Sequence, residues 1–295
     1  MTGPALAAAA GLGFGVFQTL NRRAVGGVTD AYLSTFVQLV VALVVLVVAS
    51  LATEDAGLLG DATAISLVWF SLAGLVHFSF GWTFLNISQM RIGAARTSPL
   101  LATVPVFGAA VGLIVLQELP GPLAWLGIAL IVAGAFVVSL ERVAETGWGV
   151  PWRETVPGLA TALSWAISPL MIKEGLEGLD SPLLGLTLGM VVAVLAYGAA
   201  LPLRPRAGGP GLGSWSALSF KLSAGLMVGL SVWARWAALD YTDIAVVLAL
   251  GLLSVPVVLT LSPVLMGRHV ERVTWHVWLG AGLVVVGSLI LLLRS

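Results

Sequence analysis

Four residues of one apolar run, His77, Gly81, Phe84 and Ser88, recur at spacings of four, three and four, which places them on a single helical face. His77 is the member suited to proton chemistry, because an imidazole ordinarily titrates near pH 6.5. Arg235 lies in a later apolar run and keeps its proton at any physiological pH, so it suits a fixed anchor for a carboxylate. An earlier run carries Gly11, Phe14, Gln18 and Asn21, a stripe that mixes aromatic and polar groups. Ser98 and Trp165 complete the set of candidate binding residues. Each has a plainer reading beside the functional one. His77, Gln18 and Asn21 can serve as interhelical hydrogen bonders, Arg235 can extend its head toward the end of its run, and the aromatics can simply pack. Pro99, Pro105, Pro256 and Pro263 interrupt two further runs and free backbone carbonyls.

The chemistry that is missing narrows the field. There is no HExxH, GxSxG, P-loop or acidic metal motif, and no cysteine, so hydrolytic, nucleotide-splitting and thiolate chemistry lack their parts. The reading is of a protein that is not an enzyme and needs no cofactor or metal. Net charge is zero, and no basic stripe suggests nucleic acid. No Asp or Glu falls in the middle third of any apolar run, so any proton coupling must use another group, and His77 is the candidate.

The elements that carry these residues follow from composition. The 295 residues are 59% hydrophobic and 9% charged, against roughly 25% charged in a soluble domain. Apolar runs of about 20 residues, each long enough to cross a bilayer as a helix, cover 4–25, 31–52, 63–88, 92–116, 121–140, 155–174, 182–203, 216–238, 243–266 and 274–293. The fold expected is an all-α polytopic membrane protein of ten transmembrane helices, with the lipid bilayer as solvent. Trp69, Trp148, Trp152 and Trp275 lie near expected helix ends and read as interfacial anchors.

The chain also repeats itself. ELPGPLAWLGIALIVAG at 118–134 is echoed by ERVTWHVWLGAGLVVVG at 271–287. An offset of 151 sets Phe14 on Trp165, Arg22 on Lys173, Gly74 on Gly225 and Pro105 on Pro256; an offset of 153 then sets Glu118 on Glu271, Trp125 on Trp278, Gly127 on Gly280 and Gly134 on Gly287. This pattern predicts two five-helix repeats, 1–147 and 148–295. Five crossings leave the chain on the opposite side, so the second repeat is inverted, an arrangement used for alternating access.

The paired Glu-to-Gly segments, with a proline upstream of each Glu and a basic residue closing the first helix of each half, resemble EamA-type members of the drug/metabolite transporter superfamily. The resemblance covers the whole chain. It implies ten helices as five plus five, transport of a small organic metabolite, and a central cavity lined by helices 1, 3, 4 and 6, 8, 9. Family habit also implies cytoplasmic termini. The charge pattern disagrees: eleven of the 14 Lys and Arg, among them Arg96 and Lys221, are assigned to the connections 1–2, 3–4, 5–6, 7–8 and 9–10. Positive charge stays cytoplasmic, so this count predicts both termini outside, and it is a property of this chain. The reading is therefore a secondary carrier in the plasma membrane, with an amino acid or similar zwitterion as first candidate cargo and export as the direction to test. The rival is a non-transporting scaffold or lipid-interacting protein, which a tightly packed glycine-rich centre would favour over a wide polar cavity. Nothing in the pattern speaks to oligomeric state.

Overall fold

The computed structural model describes residues 2–25, 31–115, 122–146, 152–203, 215–239, 241, 247, 250–267 and 273–292. The described residues are helical almost throughout, and helical regions answer to all ten apolar runs. In chain order they are α1 (Thr2–Val25), α2 (Ala31–Thr53), α3 (Ala64–Gly74), a π-helical turn (Leu75–Gly81), α4 (Trp82–Ile92), α5 (Ala94–Leu101), α6 (Val104–Val115), α7 (Pro122–Thr146), α8 (Trp152–Leu176), α9 (Pro182–Ala200), α10 (Trp215–Leu239), α11 (Ser254–Met266) and α12 (Trp275–Leu292). Six stretches are long and apolar enough to cross a membrane unbroken, including the continuous rod Ala64–Ile92, and shorter apolar helices accompany them.

Local chemistry sets several of the boundaries. Thr63 caps α3 by accepting from the Ser66 N–H at 3.3 Å, and Ser181 caps α9 by accepting from Leu184 N–H at 3.1 Å. Pro182 follows Ser181 at the first turn, where its missing N–H costs nothing. Gly93 and Gly267 end α4 and α11 with φ of 82° and 87°, a region in which side chains other than hydrogen are strained. The fourth span breaks between α5 and α6 at Ala102 and Thr103. A proline at 105 removes the N–H that would reach the Leu101 carbonyl, and the backbone there tightens into short-range bonds such as Thr103 N–H to Leu100 O at 3.1 Å. The freed Ala102 carbonyl accepts from Ser288 Oγ at 3.0 Å. The ninth span breaks in the same way before Pro256, with Leu253 N–H on Leu250 O at 3.1 Å.

Helices pack mainly across the two halves of the chain. α1 lies along α10, α7 along α12, α8 along α3, the π turn and α4, α2 against both α9 and α10, and α11 against α1 and α5. Aliphatic side chains such as Val44, Val48, Leu195 and Val264 face outward, as a lipid solvent allows. The repeated motif has a clear use here. A Cβ placed on Gly134 would lie 2.5 Å from the Gly280 carbonyl oxygen, and one on Gly287 would lie 2.6 Å from that of Gly127. The four duplicated glycines thus meet one another, and their missing side chains let α7 and α12 touch backbone to backbone. Their neighbours Trp125 and Trp278 point outward. Glu118, Glu271 and Trp148 lie outside the described residues.

Two basic residues assigned to connections are not in connections. Arg96 is buried within α5, and Lys221 is buried in α10, six residues after its start. Both already fall inside the apolar runs 92–116 and 216–238; a basic residue within a turn or two of a run's end is ordinarily a connection residue, and here the helices extend past it.

Candidate functional site

An aromatic column fills the centre, where α1, α8 and the third span converge. Phe14 meets Trp165 edge to face at 6.0 Å and Phe17 at 5.9 Å; Phe17 continues to Trp82 at 6.3 Å, and Trp82 to Phe78 at 5.2 Å. Such pairs stabilise by about 0.5–1.5 kcal/mol beyond their burial. His77 stacks on Trp165, with ring centres 5.6 Å apart and planes 19° apart.

The π turn explains how His77 is held. In its wider winding, backbone carbonyls become available to side chains of a neighbouring helix. Two residues on one face of α8 bond to such carbonyls, and a third on the same face holds the His77 ring. Thr161 Oγ1 donates to the Gly81 carbonyl at 3.2 Å, Trp165 Nε1 donates to the His77 carbonyl at 3.3 Å, and Ser168 Oγ shares a 2.7 Å hydrogen bond with His77 Nδ1. Gly81 is small because the Trp165 indole lies against it; a Cβ there would fall 2.7 Å from Nε1. Beside His77 is a small cavity of about 10 Å³, bordered by Phe70, Gly74, Phe78 and Gly189, with room for about one water.

Of the stripe expected in this span, His77 and Gly81 face α8, and Ser88 does too, since a Cβ on Gly158 of α8 would lie 3.1 Å from Ser88 Oγ. Ser88 Oγ also shares a 2.9 Å bond with Thr97 Oγ1. Phe84 is half-buried and joins none of the ring pairs among the described residues. The stripe in α1 splits: Gly11 packs on the Leu250 backbone, Phe14 on Trp165, and Asn21 on polar groups at the far end. Gln18 and Ser98 are buried, with Gln18 Oε1 and Ser98 Oγ lacking hydrogen-bond partners. Arg235 is half-buried in α10, close enough for its charge to act on His77. Phe14, His77 and Trp165 are therefore brought together with Arg235 nearby, whereas Asn21, Phe84 and Ser98 stand apart from them.

A second polar assembly was not foreseen. Lys221, 1% exposed, donates to Asn21 Oδ1, to Gln38 Oε1 at 3.0 Å and to Asn86 Oδ1 at 3.3 Å. Asn21 Nδ2 in turn donates to Asn86 Oδ1 and Gln89 Oε1, each at 2.7 Å, and Asn86 Nδ2 to Thr35 Oγ1 at 2.7 Å. The signal was present in the sequence: Asn21, Gln38 and Asn86 interrupt apolar runs, and Gln89 follows one, near one membrane face, the face at which Lys221 also lies. Lys221 and Arg235 are four helical turns apart on nearly the same face of α10.

Residues 1–140 match the model of the EamA-like transporter family. No curated protein matches the chain. A crystal structure described only as that of a protein is similar over 96% of this chain and 95% of its own, with a TM-score of 0.62 at 17% identity, a likeness of fold. Members of this family are membrane transporters, which agrees with the apolar spans. Residues 1–140 are thus similar to the EamA-like transporter family, and the helices long and apolar enough to cross a bilayer make the chain a multi-pass membrane protein.

Proposed function

We propose that the chain is a secondary carrier that exports a small organic metabolite, with an amino acid or similar zwitterion as first candidate, by alternating access between two inverted repeats, 1–147 and 148–295. One observation supports this reading above the rest. When each helix is replaced by its counterpart in the other half, the helix contacts map onto themselves. The α1–α10 contact becomes that of α8 with the third span, α2–α10 becomes α9–α3, and α1–α11 becomes the contact of α8 with α5 and α6. The pairs α7–α12, α2–α9 and α5–α11 map onto themselves. Phe14 and Trp165 hold the same position in their repeats and touch, as residues near a two-fold axis do. Five crossings per half then put that axis in the membrane plane.

The cargo is read as sitting at this axis, among Phe14, His77 and Trp165. Arg235 supplies a fixed positive charge for a carboxylate, and the indole and phenyl faces suit an ammonium group. The 10 Å³ cavity beside His77 is far smaller than the roughly 300–1,000 Å³ of ligand pockets, so the helices around His77 must part to admit cargo there. That tight packing is what the scaffold reading called for; the match of residues 1–140 to a transporter family weighs against it. Without Arg96 and Lys221, basic residues in the connections still favour the face opposite the termini, and both termini are read as outside the plasma membrane.

Counterflow tests the proposal. Proteoliposomes holding the chain and loaded with a mixture of unlabelled amino acids should take up at least one labelled amino acid faster than protein-free vesicles. Uptake equal to that of empty vesicles for every amino acid refutes the amino-acid reading.

A further inference from the structure

The assembly around Lys221 has more donors than acceptors, and among the described residues nothing answers an ammonium charge there. Among the described residues, no carboxylate bonds to Lys221; its partners are the neutral oxygens of Asn21, Gln38 and Asn86. The amide nitrogens of Gln38 and Gln89 are buried in the same assembly and find no acceptor. A buried ammonium with unused amide donors beside it lacks negative charge and lone pairs together. A carboxylate supplies both, because its two oxygens accept about four hydrogen bonds.

The assembly is also one-sided. The counterpart of Lys221 at the offset of 151 is Phe70, and that of Asn21 is Ile172; these two lie together in an apolar cluster at the opposite end of the bundle, with Gly175 and Gly185 packed on the Phe70 ring. Donors are concentrated at one end of the bundle, whereas the described positions equivalent to Lys221 and Asn21 at the other are apolar. Between Lys221 and the centre runs the aromatic contact of Phe17 with Trp82.

We propose that Lys221, with the amides of Gln38 and Gln89, is a carboxylate-binding station at the mouth formed by the ends of α1, α2, α4 and α10. It takes the acid group of the cargo when that mouth opens and passes it toward Arg235; this deepens the carrier reading and rests on it. In the conformation described, Asn21, Gln38 and Asn86 hold the ammonium in the carboxylate's place.

Sodium acetate is the minimal probe, tested on the full-length protein in detergent against sodium chloride of equal ionic strength and against acetamide. Saturating acetate should raise the unfolding midpoint of the wild type by roughly 2–4 °C above both controls. Lys221→Met should abolish that rise, and Lys173→Met, at a basic residue exposed on α8, should keep it. An equal response to chloride, no response, or a rise that survives Lys221→Met overturns the proposal. Should Lys221→Met not fold, Lys221→Gln takes its place, keeping amide donors without the charge, and the contrast of acetate with acetamide in the wild type decides independently of either variant. Failure of the carrier reading looks different: acetate protects the protein through Lys221, yet proteoliposomes exchange no amino acid.

Discussion

The glycine contact between α7 and α12 makes a sharp demand on stability. At Gly134 a methyl group would meet the Gly280 carbonyl at 2.5 Å, and at Gly287 it would meet that of Gly127 at 2.6 Å. Ordinary contacts begin near 3.4 Å, so an alanine at either place must push two helix backbones apart by roughly 1 Å in an interior packed as densely as a crystal. Gly282 lies on the same helix as Gly287 with nothing within 4 Å of its missing side chain, and it isolates the intrinsic effect. Alanine favours a helix over glycine by about 0.8–1 kcal/mol at any of these positions. That gain cancels when Gly287→Ala is compared with Gly282→Ala, leaving the overpacking cost of about 1–3 kcal/mol. Thermal unfolding in detergent should therefore place Gly287→Ala and Gly134→Ala several degrees below Gly282→Ala. The double variant should lose less than the sum, since one displacement already separates the pair. If Gly134→Ala and Gly287→Ala are as stable as Gly282→Ala, the backbone contact is not where the structure puts it and the use assigned to the repeated motif falls.

Arg235→Ala should raise the KM for carboxylate-bearing cargo by about 10–100-fold, as expected for a lost charge-assisted bond, at every pH, while the matching amide is unaffected; equal KM changes for acid and amide count against the anchor. His77→Ala should alter the pH profile of transport, and superimposable profiles would remove it from proton coupling. Trp165→Ala should slow transport by more than Phe84→Ala, because only Trp165 binds both Phe14 and the π turn; the reverse order in a counterflow assay contradicts the central site. A reporter active only in the cytoplasm, fused after Ser295, should be silent, and activity would mean that family habit overrides the charge bias.

What the sequence made legible and what it hid divide along the range of the interactions. Spans are local averages, and ten apolar runs correspond to ten helical regions. The duplicated glycines were visible as an offset of 153, and their mutual contact follows because residues repeated in two equivalent helices face equivalent ways. Helical periodicity put His77, Gly81 and Ser88 on one face, as the structure does, but the π turn that frees the His77 and Gly81 carbonyls leaves no periodic trace. That Phe14 and Trp165 touch depends on where a two-fold relation falls in space, which spacing along the chain does not specify. Lys221 was missed for a different reason. A basic residue near the end of an apolar run is ordinarily a connection residue, and only the convergence of Asn21, Gln38 and Asn86 from three other helices turns it inward.

The interleaving of the two halves has a consequence for how the chain is made. α1 finds its longest contact in α10, α7 in α12, and the third span in α8 and α9, so five of the spans enter the bilayer before their main partners have been synthesised. At that stage the amide cluster of Asn21, Asn86 and Gln89 lacks Lys221 and the cover of α10, and the bare glycine surface of α7 has nothing to lie on. The nascent first half is thus an unfinished bundle with exposed polar groups, the kind of intermediate that membrane quality control recognises and that ribosome pausing or an insertion chaperone would need to shelter. By the same logic, the two halves expressed as separate polypeptides have every contact surface needed to assemble on one another, whereas residues 1–147 expressed alone have none of their principal partners.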